Sequence, residues 1–523
     1  MKSLDAVIIS GYGYDSLSVV SGLRLNIDNQ PGTIQQIKKT LHPDFDIDHC
    51  PTWADAPHLN GITLFDHCTK AGFACEIIEK YDPRKNYADV AGQSPTAVII
   101  STTYIFSKLQ FTSIVTSVRQ QFPDAIIIAG GTWIYASYLL HCKISDAEYD
   151  TGSAADSYLF LSEEDEHLAD YYIISTSGLG LLSGLLSTLK QGEHTDTTGI
   201  AVSTPRGIVF NGVDNRFSCE RFNIDWAQLP DHVFSRGVIS LQASNGCPYR
   251  CAFCNFQRDR TTTYLRPLDE LIADIKAVQA RGIRYVRFVD DNFRLGKNDL
   301  NDTCRAFINA GLDVQWFSFI RLSSLQLADM QLLKESGCYS VQVGLESANQ
   351  QILDNMEKKV DAAIYPDVIS RLLHAGLNCT ATFMMGFPGE TEETVRQTMR
   401  FIQSMDMADA PGTAFWTIYP FMLAPLSPIY ERASRDRYQL NGYLAEWRHT
   451  TMDSKTAVKH IKSMFLQIER PTPSYPEDDL DLLQTLSISQ RKIFLNRRHD
   501  LAKTAKTHAI SAEHLSRAFS DLL

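Results

Sequence analysis

The chain has 523 residues, of which 44% are hydrophobic and 21% charged, and its net charge is −12. This length exceeds what one hydrophobic core supports, so two or three domains are expected, and the composition argues against a mostly disordered chain. The acidic balance argues against a protein that binds nucleic acid by neutralising phosphates, and no apolar run approaches the roughly 18 residues of a membrane span. Because the apolar run before Gly11 is also too short for a signal peptide, we expect a cytoplasmic protein with neither a nucleic-acid nor a membrane partner.

Five short apolar runs near the N-terminus are predicted strands, and they are 6–10, 75–81, 96–102, 125–131 and 170–176. Their β-branched, continuously apolar character is typical of parallel strands covered on both faces. Apolar residues recur at three- and four-residue spacing in 106–122, which predicts a helix between two of them. The alternation predicts an α/β fold that begins with a doubly wound, Rossmann-like domain over residues 1–190.

A connector with a small strand pair is predicted over 191–235, and a second βα series follows it. Its six predicted strands are 238–244, 285–293, 314–321, 340–347, 378–387 and 414–422. Strands of this kind with helical crossovers predict a partial (β/α)6 barrel over 236–435, whose ligands sit at the carboxyl ends of the strands. A mostly helical C-terminal region is predicted over 436–523.

Three of the eleven cysteines stand together on a loop directly after the first predicted barrel strand: Cys247, Cys251 and Cys254. The other eight are scattered, which suits reduced thiols better than a disulfide framework. Thiolates are soft ligands for iron–sulfur clusters or zinc. Zinc usually needs a fourth Cys or His at suitable spacing, which the sequence lacks, whereas three cysteines can hold three irons of a four-iron cluster and leave the fourth open.

The CxxxCxxC spacing at the end of the first strand of a six-strand barrel resembles the radical S-adenosylmethionine superfamily. The resemblance implies that Cys247, Cys251 and Cys254 bind a [4Fe-4S] cluster whose open iron is chelated by S-adenosylmethionine. In that family an electron then cleaves the cofactor to a 5′-deoxyadenosyl radical. Phe253 matches the family's aromatic residue before the last cysteine, which implies a position near the adenine.

Other predicted strand ends carry residues that the resemblance assigns to S-adenosylmethionine: Asp290 and Asp291, Glu346 and Ser347, and Gly386 and Phe387. The aspartates stand where many members have a Gly-Gly-Glu motif for the methionine amino group, the Glu-Ser pair matches the ribose or methionine contact, and the glycine segment matches the adenine side. Structural alternatives are helix-capping aspartates, a carboxylate that complements a helix dipole, and a simple turn.

The domain before the barrel resembles the cobalamin-binding domain of the B12-dependent subclass. The matching residues follow its predicted strands, and they are Ser101, Thr102, Thr103, Tyr104, Gly130, Gly131, Thr132 and Ser175. Small hydroxyl and glycine residues let a phosphate or ribose approach the backbone closely. The DxHxxG motif is missing, so a histidine ligand below the cobalt is not implied. The alternative is a Rossmann-like domain that only packs on the barrel.

Together the two resemblances imply a cobalamin-dependent methyltransferase that acts on an unactivated carbon or a phosphinate phosphorus of a small-molecule or natural-product intermediate. Its electron donor would be a protein such as flavodoxin or ferredoxin. One alternative is a B12-dependent rearrangement or cyclisation without methyl transfer. A non-catalytic cobalamin or metal sensor and a tRNA-modifying enzyme are alternatives of other classes, and the acidic charge disfavours the latter.

Overall fold

The computed structural model describes residues 4–12, 19–87, 90, 94–162, 168–193, 195–216, 218–256, 263–294 and 299–523. The chain divides into two compact units. The first comprises Met1–Asp15 and Pro57–Leu229, and the second comprises Ser16–Ala56 and Pro230–Leu523.

The first unit is built on a seven-stranded sheet. Its strands are β1 (Ala6–Ile9), β2 (Cys75–Ile78), β3 (Ala97–Ser101), β4 (Ile126–Gly130), β5 (Tyr171–Ile173), β6 (Ile200–Thr204) and β7 (Gly207–Phe210). Their order is β2-β1-β3-β4-β5-β6-β7. The first five are parallel, and β6 and β7 add an antiparallel edge. This order is that of a doubly wound sheet, with its topological switch point between β1 and β3.

The helices of the first unit are Leu59–Lys70, Lys108–Gln121, Thr132–His141 and Leu179–Lys190, with 3-10 turns at Gly152–Ala154 and Glu220–Phe222. A side-chain cap determines where the second of these helices begins. The Ser107 side chain accepts a hydrogen bond from the Gln110 amide and so caps the second helix. The predicted doubly wound domain is confirmed, and the sheet's switch point lies at the ends of β1 and β3.

The second unit is built on a seven-stranded parallel sheet. Its strands are β8 (Val238–Leu241), β9 (Tyr285–Phe288), β10 (Gln315–Phe319), β11 (Cys338–Glu346), β12 (Asn378–Met385), β13 (Ala414–Pro420) and β14 (Thr472–Pro473). They pair in chain order, as in a partial barrel, so all their carboxyl ends lie at one edge. The six predicted strands are present, and the short β14 was not predicted. Small antiparallel pairs join Asn26–Ile27 to Gln30–Pro31, Ser244–Asn245 to Tyr264–Leu265, and Asn441–Tyr443 to Glu446–Arg448.

Helices cover the second sheet and continue to the C-terminus. They are Val19–Leu23, Ile34–Leu41, Leu268–Ala280, Asp299–Asn309, Leu322–Gln326, Met330–Glu335, Gln350–Asn355, Tyr365–His374, Glu392–Ser404, Arg432–Tyr438, Ser454–Gln467, Leu480–Thr485, Ile488–Thr504 and Ala512–Phe519. Short 3-10 turns lie at Trp53–Asp55, Asp231–Phe234, Ala362–Ile364 and Pro428–Tyr430. Within the described ranges, no helix combines the length and the apolar character that crossing a membrane requires.

The segment Ser16–Ala56 lies in the second unit, although the predicted first domain ran unbroken from residue 1 to residue 190. Contacts with distant residues explain the difference. The Arg24 guanidinium bonds both carboxylate oxygens of Glu477, at 3.0 and 3.1 Å. Trp53 packs into an apolar cluster with Val238 and Tyr285. These contacts make the segment part of the barrel's covering layer.

Candidate active site

The three-cysteine loop follows β8 and is held to the barrel by backbone hydrogen bonds. The Ala252 amide donates to the Met356 carbonyl at 2.8 Å, and the Ala252 carbonyl accepts from the Ile429 amide at 2.8 Å. Cys251 is buried, and Cys247 and Cys254 are half-buried. The loop therefore presents three thiols at the carboxyl edge of the second sheet, where they were predicted.

The chemistry of the three thiols indicates which metal group they fit. Burial raises the pKa of Cys247, and it raises that of Cys254 to about 11, so metal binding must release protons from these thiols. In the described part of the chain, no three His, Cys, Asp or Glu side chains converge on a single ion. Three soft thiolates on one loop are the ligands that a four-iron cluster takes, each on a different iron, so the chemistry of the donor set fits such a cluster.

The two aspartates after β9 support this loop from the neighbouring strand. Both Asp290 oxygens accept from the Ala243 amide at 3.2 Å, and Oδ1 also accepts from the amide and hydroxyl of Ser244. Asp291 Oδ2 accepts from the Gly246 amide at 3.0 Å. Burial raises the pKa of Asp290 to about 7. Both carboxylates thus bond amides at the start of the cysteine loop, which is not the helix-capping alternative, and a contact with S-adenosylmethionine stays a prediction.

The end of β11 brings a buried ion pair close to the loop. Glu346 Oε1 lies 2.7 Å from Lys358 Nζ, and Glu346 has a left-handed backbone with φ of 65°. Lys358 Nζ in turn lies 5.8 Å from the centre of the Phe253 ring. The Ser347 hydroxyl is buried and accepts from the Asn349 amide at 3.2 Å. Glu346 is therefore held by a cation, whereas Ser347 is used within its own turn.

The glycine segment after β12 is tightly enclosed. Gly386 has φ of 96°, and a Cβ atom there would lie 2.4 Å from the Trp447 ring, so only glycine fits. The Gly386 carbonyl lies 3.0 Å from His449 Nε2, and its amide donates to Glu390 Oε2. Phe387 is fully buried. Trp447 and His449 thus lie against the glycine.

Glu390 is a buried carboxylic acid in this segment. Burial raises its pKa to about 8, against the lowering effect of the bond from the Gly386 amide. Its second oxygen, Oε1, is buried and has no hydrogen-bond partner among the described residues. The segment therefore contains a buried carboxyl oxygen that the described protein groups leave without a hydrogen bond.

At the carboxyl edge of the first sheet, the predicted residues after β3 and β4 meet. Thr102 donates through its amide to the Gly130 carbonyl at 2.7 Å and through Oγ1 at 3.0 Å, and Oγ1 also accepts from the Ile134 amide. Gly131 has φ of 116°, and a Cβ there would lie 3.1 Å from the Thr102 amide. Thr132 begins the helix that follows. Thr102 thus ties the two strand ends together.

The remaining predicted residues of the first unit divide between this edge and a separate turn. Ser101 Oγ accepts from Asn60 Nδ2 at 2.6 Å and lies 3.3 Å from Thr103 Oγ1. The Tyr104 ring stacks on His58, with ring centres 4.2 Å apart. Ser175, after β5, accepts from the Ser177 amide at 3.0 Å and is used within its own turn.

Sequence reasoning missed several polar residues at both edges: His58, Asn60, Arg321, Lys358 and Glu390. Arg321 is the last residue of one predicted buried strand and Glu390 follows another, and a charge at the end of such a strand is a signal that could have identified them. His58 and Asn60 follow the segment that joins the other unit, so no local pattern links them to β1.

Comparisons with known proteins agree with this geometry. The Radical SAM superfamily profile matches residues 241–402, which contain the cysteine loop. The uncharacterized methyltransferase PH0819 of Pyrococcus horikoshii is 29% identical over 230 residues, which are 43% of this chain and 48% of that protein. The chain matches less than half the length of such curated relatives.

Two solved structures resemble the chain over most of its length. The first is the radical S-adenosylmethionine methyltransferase TsrM of Kitasatospora setae, solved with cobalamin and a [4Fe-4S] cluster; it has a TM-score of 0.54 and 17% identity, over 82% of this chain and 77% of that one. The cobalamin-dependent S-adenosylmethionine radical enzyme OxsB has a TM-score of 0.50 and 14% identity, over 83% of this chain and 56% of that one. Residues 241–402 are therefore a radical S-adenosylmethionine domain, in a chain with the fold of cobalamin-dependent radical S-adenosylmethionine enzymes.

Proposed function

We propose that the chain is a cobalamin-dependent radical S-adenosylmethionine methyltransferase. The observation that carries the proposal is the pairing, in one chain, of a three-thiol loop at the end of a barrel strand with a doubly wound sheet of the switch-point type. The three-thiol loop alone would support a radical S-adenosylmethionine enzyme without cobalamin, and the doubly wound sheet alone would support no more than a cofactor-binding domain.

In this proposal Cys247, Cys251 and Cys254 bind the cluster. When bound, the cluster supplies an electron for cleavage of S-adenosylmethionine, and cobalamin carries a methyl group. Asp290 and Asp291 hold the loop in place from β9 through its amides. The protein's part is to fix the three thiols before the cluster binds.

S-adenosylmethionine is assigned to the remaining strand ends of the barrel. The Glu346–Lys358 pair offers a carboxylate and an ammonium for polar groups of the methionine or ribose, and Phe253 lies beside that ammonium. Gly386 and Phe387 stay assigned to the adenine side by the resemblance alone, since the Trp447 ring already lies against Gly386 and Phe387 is fully buried. Because these groups are already buried, they also exclude water from the reaction.

Cobalamin is assigned to the carboxyl edge of the first sheet. Thr103, Tyr104, Gly131 and Thr132 are half-buried there, so they are accessible to a large ligand. Ligands of doubly wound sheets bind at such a switch point. Ser101 and Thr102 instead fix the shape of the edge, since their hydroxyls are bonded within the protein.

The proposed reaction consumes two molecules of S-adenosylmethionine. One gives up its methyl group and leaves as S-adenosylhomocysteine. The other is cleaved to methionine and 5′-deoxyadenosine, whose new hydrogen comes from the substrate atom that accepts the methyl. The proposed substrate is a small-molecule or natural-product intermediate methylated at an unactivated carbon or a phosphinate phosphorus, in the cytoplasm, with flavodoxin or ferredoxin as donor.

A product assay on the anaerobically purified, cofactor-loaded protein with candidate substrates tests the proposal. Equal amounts of S-adenosylhomocysteine and 5′-deoxyadenosine are expected. Deoxyadenosine alone would instead indicate a rearrangement or cyclisation. A loaded protein that never cleaves S-adenosylmethionine when reduced would contradict the proposal and indicate a sensor.

A further inference from the structure

Arg321 is a buried cation against the cysteine loop. It follows β10 and is 7% exposed, and its guanidinium lies 3.5 Å from the centre of the Tyr249 ring. Tyr249 stands in the loop between Cys247 and Cys251. Arg321 Nη1 is within hydrogen-bond distance of Cys251 Sγ, at 3.9 Å, and Nη2 donates to the Lys358 carbonyl. The guanidinium is thereby fixed against a single cluster ligand.

The charge of Arg321 has no carboxylate partner within the described residues. Glu346 is paired with Lys358, and Asp291 accepts from the Gly246 amide. The Nε atom of Arg321 is also buried without a hydrogen-bond partner among those residues. Because a buried charge is costly unless it is paired, the site requires an anion that the described residues do not provide.

We propose that the cluster is this anion and that Arg321 is a positioning residue that raises the cluster's reduction potential. The inference rests on the proposed function, because it needs the cluster. A cluster held by thiolates becomes more negative when it accepts an electron. A cation and an N–H donor at Cys251 Sγ therefore stabilise the reduced state more than the oxidised one.

Lys358 offers a contrast within the same site. Its ammonium is neutralised by Glu346 at 2.7 Å, so its field at the cluster is largely cancelled. Arg321 has no such cancellation. Of the two neighbouring cations, the arginine is the one that governs how readily the cluster is reduced.

The test is a redox titration of the cluster, followed by electron paramagnetic resonance in the absence of S-adenosylmethionine. It compares wild type with Arg321→Gln, using only protein with full iron content. At a fixed solution potential, the ratio of reduced to oxidised cluster should fall at least tenfold in the variant, which is about 59 mV for a one-electron couple. Arg305→Gln removes the same charge from the exposed side of helix Asp299–Asn309, and its ratio should match wild type.

A wild-type potential in Arg321→Gln would overturn the inference. So would a wild-type potential with weaker binding of S-adenosylmethionine, which would assign Arg321 to that ligand's carboxylate. If Arg321→Gln fails to load a cluster, Arg321→Met decides. A methionine removes both the charge and the N–H donors, so its potential should fall below that of wild type, and an unchanged value overturns the inference. A wild-type protein that binds no cluster would contradict the proposed function itself.

Discussion

The carboxyl edges of the parallel strands in the two sheets differ in the charge and the hydrogen bonding of their side chains. At the first sheet, the predicted residues are neutral, and the inner ones are bonded to one another, as Thr102 is to Gly130. At the second sheet, the edge carries buried charges, and polar atoms such as Arg321 Nε and Glu390 Oε1 have no partner in the described chain. Buried polar atoms without a partner among the described residues also occur at the first edge, as at Ser10 Oγ and Asn60 Oδ1, but the buried charges described above lie at the second edge.

This difference follows from what each edge is proposed to bind. A large cofactor with many polar groups needs space and close backbone approach, which glycine and hydroxyl residues provide. An anionic cluster and a charged nucleoside need matched charges in a site without water. Changes at the second edge should therefore have larger effects than changes at the first.

The largest effect is expected at the cysteine loop. Cys247→Ala, Cys251→Ala or Cys254→Ala should reduce bound iron to background and abolish cleavage of S-adenosylmethionine, because each removes a cluster ligand. Iron analysis after anaerobic reconstitution measures this. Cys304→Ala is the matched control, since Cys304 is buried in a helix away from the loop, and its iron content should be that of wild type. Turnover in the triple variant would refute the cluster assignment.

The next largest effect is expected at Asp290, which accepts hydrogen bonds from the start of the cysteine loop. Asp290→Ala leaves the amides of Ala243 and Ser244 without their acceptor, so it should lower the free energy of unfolding by about 1–3 kcal/mol. Chemical denaturation of the apoprotein measures the loss. Iron uptake should fall as well, because the loop is less ordered. A variant with unchanged stability would assign Asp290 to a ligand instead of the loop.

A pH effect is expected at Glu390. Since its pKa is raised to about 8, the folded state keeps a proton that the unfolded state loses above its ordinary pKa of 4.5. The wild-type free energy of unfolding should therefore fall as pH rises through this range, by up to about 1.4 kcal/mol per pH unit. Glu390→Gln should remove that part of the slope in denaturation curves recorded from pH 5 to 8. An unchanged slope would show that Glu390 is ionised in the fold.

The smallest effect is expected at the first sheet. Tyr104→Ala removes the ring that stacks on His58 but leaves the bonded network around Ser101 intact. Cobalamin should bind up to about tenfold more weakly, equivalent to about 1.4 kcal/mol. Equilibrium binding followed by absorbance measures this, with Tyr87→Phe, a residue of the same unit outside this edge, as control. A loss as complete as that of the cysteine variants would contradict the comparison.

The sequence predicted those parts of the molecule that depend on local pattern. Buried β-branched runs identified the strands, and a turn-prone loop after a strand identified the three thiols. The sequence could not show that the Asp290 carboxylate accepts hydrogen bonds from the loop, because the donor amide of Ala243 lies 47 residues away in the chain. It also could not show Arg321 beside Cys251, since the two meet only when β8 and β10 share a sheet edge.

The placement of Ser16–Ala56 in the second unit has a consequence for synthesis on the ribosome. The amide of Ile34 bonds Asp478, whose carboxylate also binds Arg498. Asp478 is synthesised 444 residues after Ile34, so the earlier segment must wait for that part of the chain before its contacts can form. Domains commonly complete folding in the order of synthesis, from the N-terminus onward. Here Ser16–Ala56 meets its partners only after the barrel strands have been synthesised, so cutting the chain between the predicted domains would separate this segment from its partners.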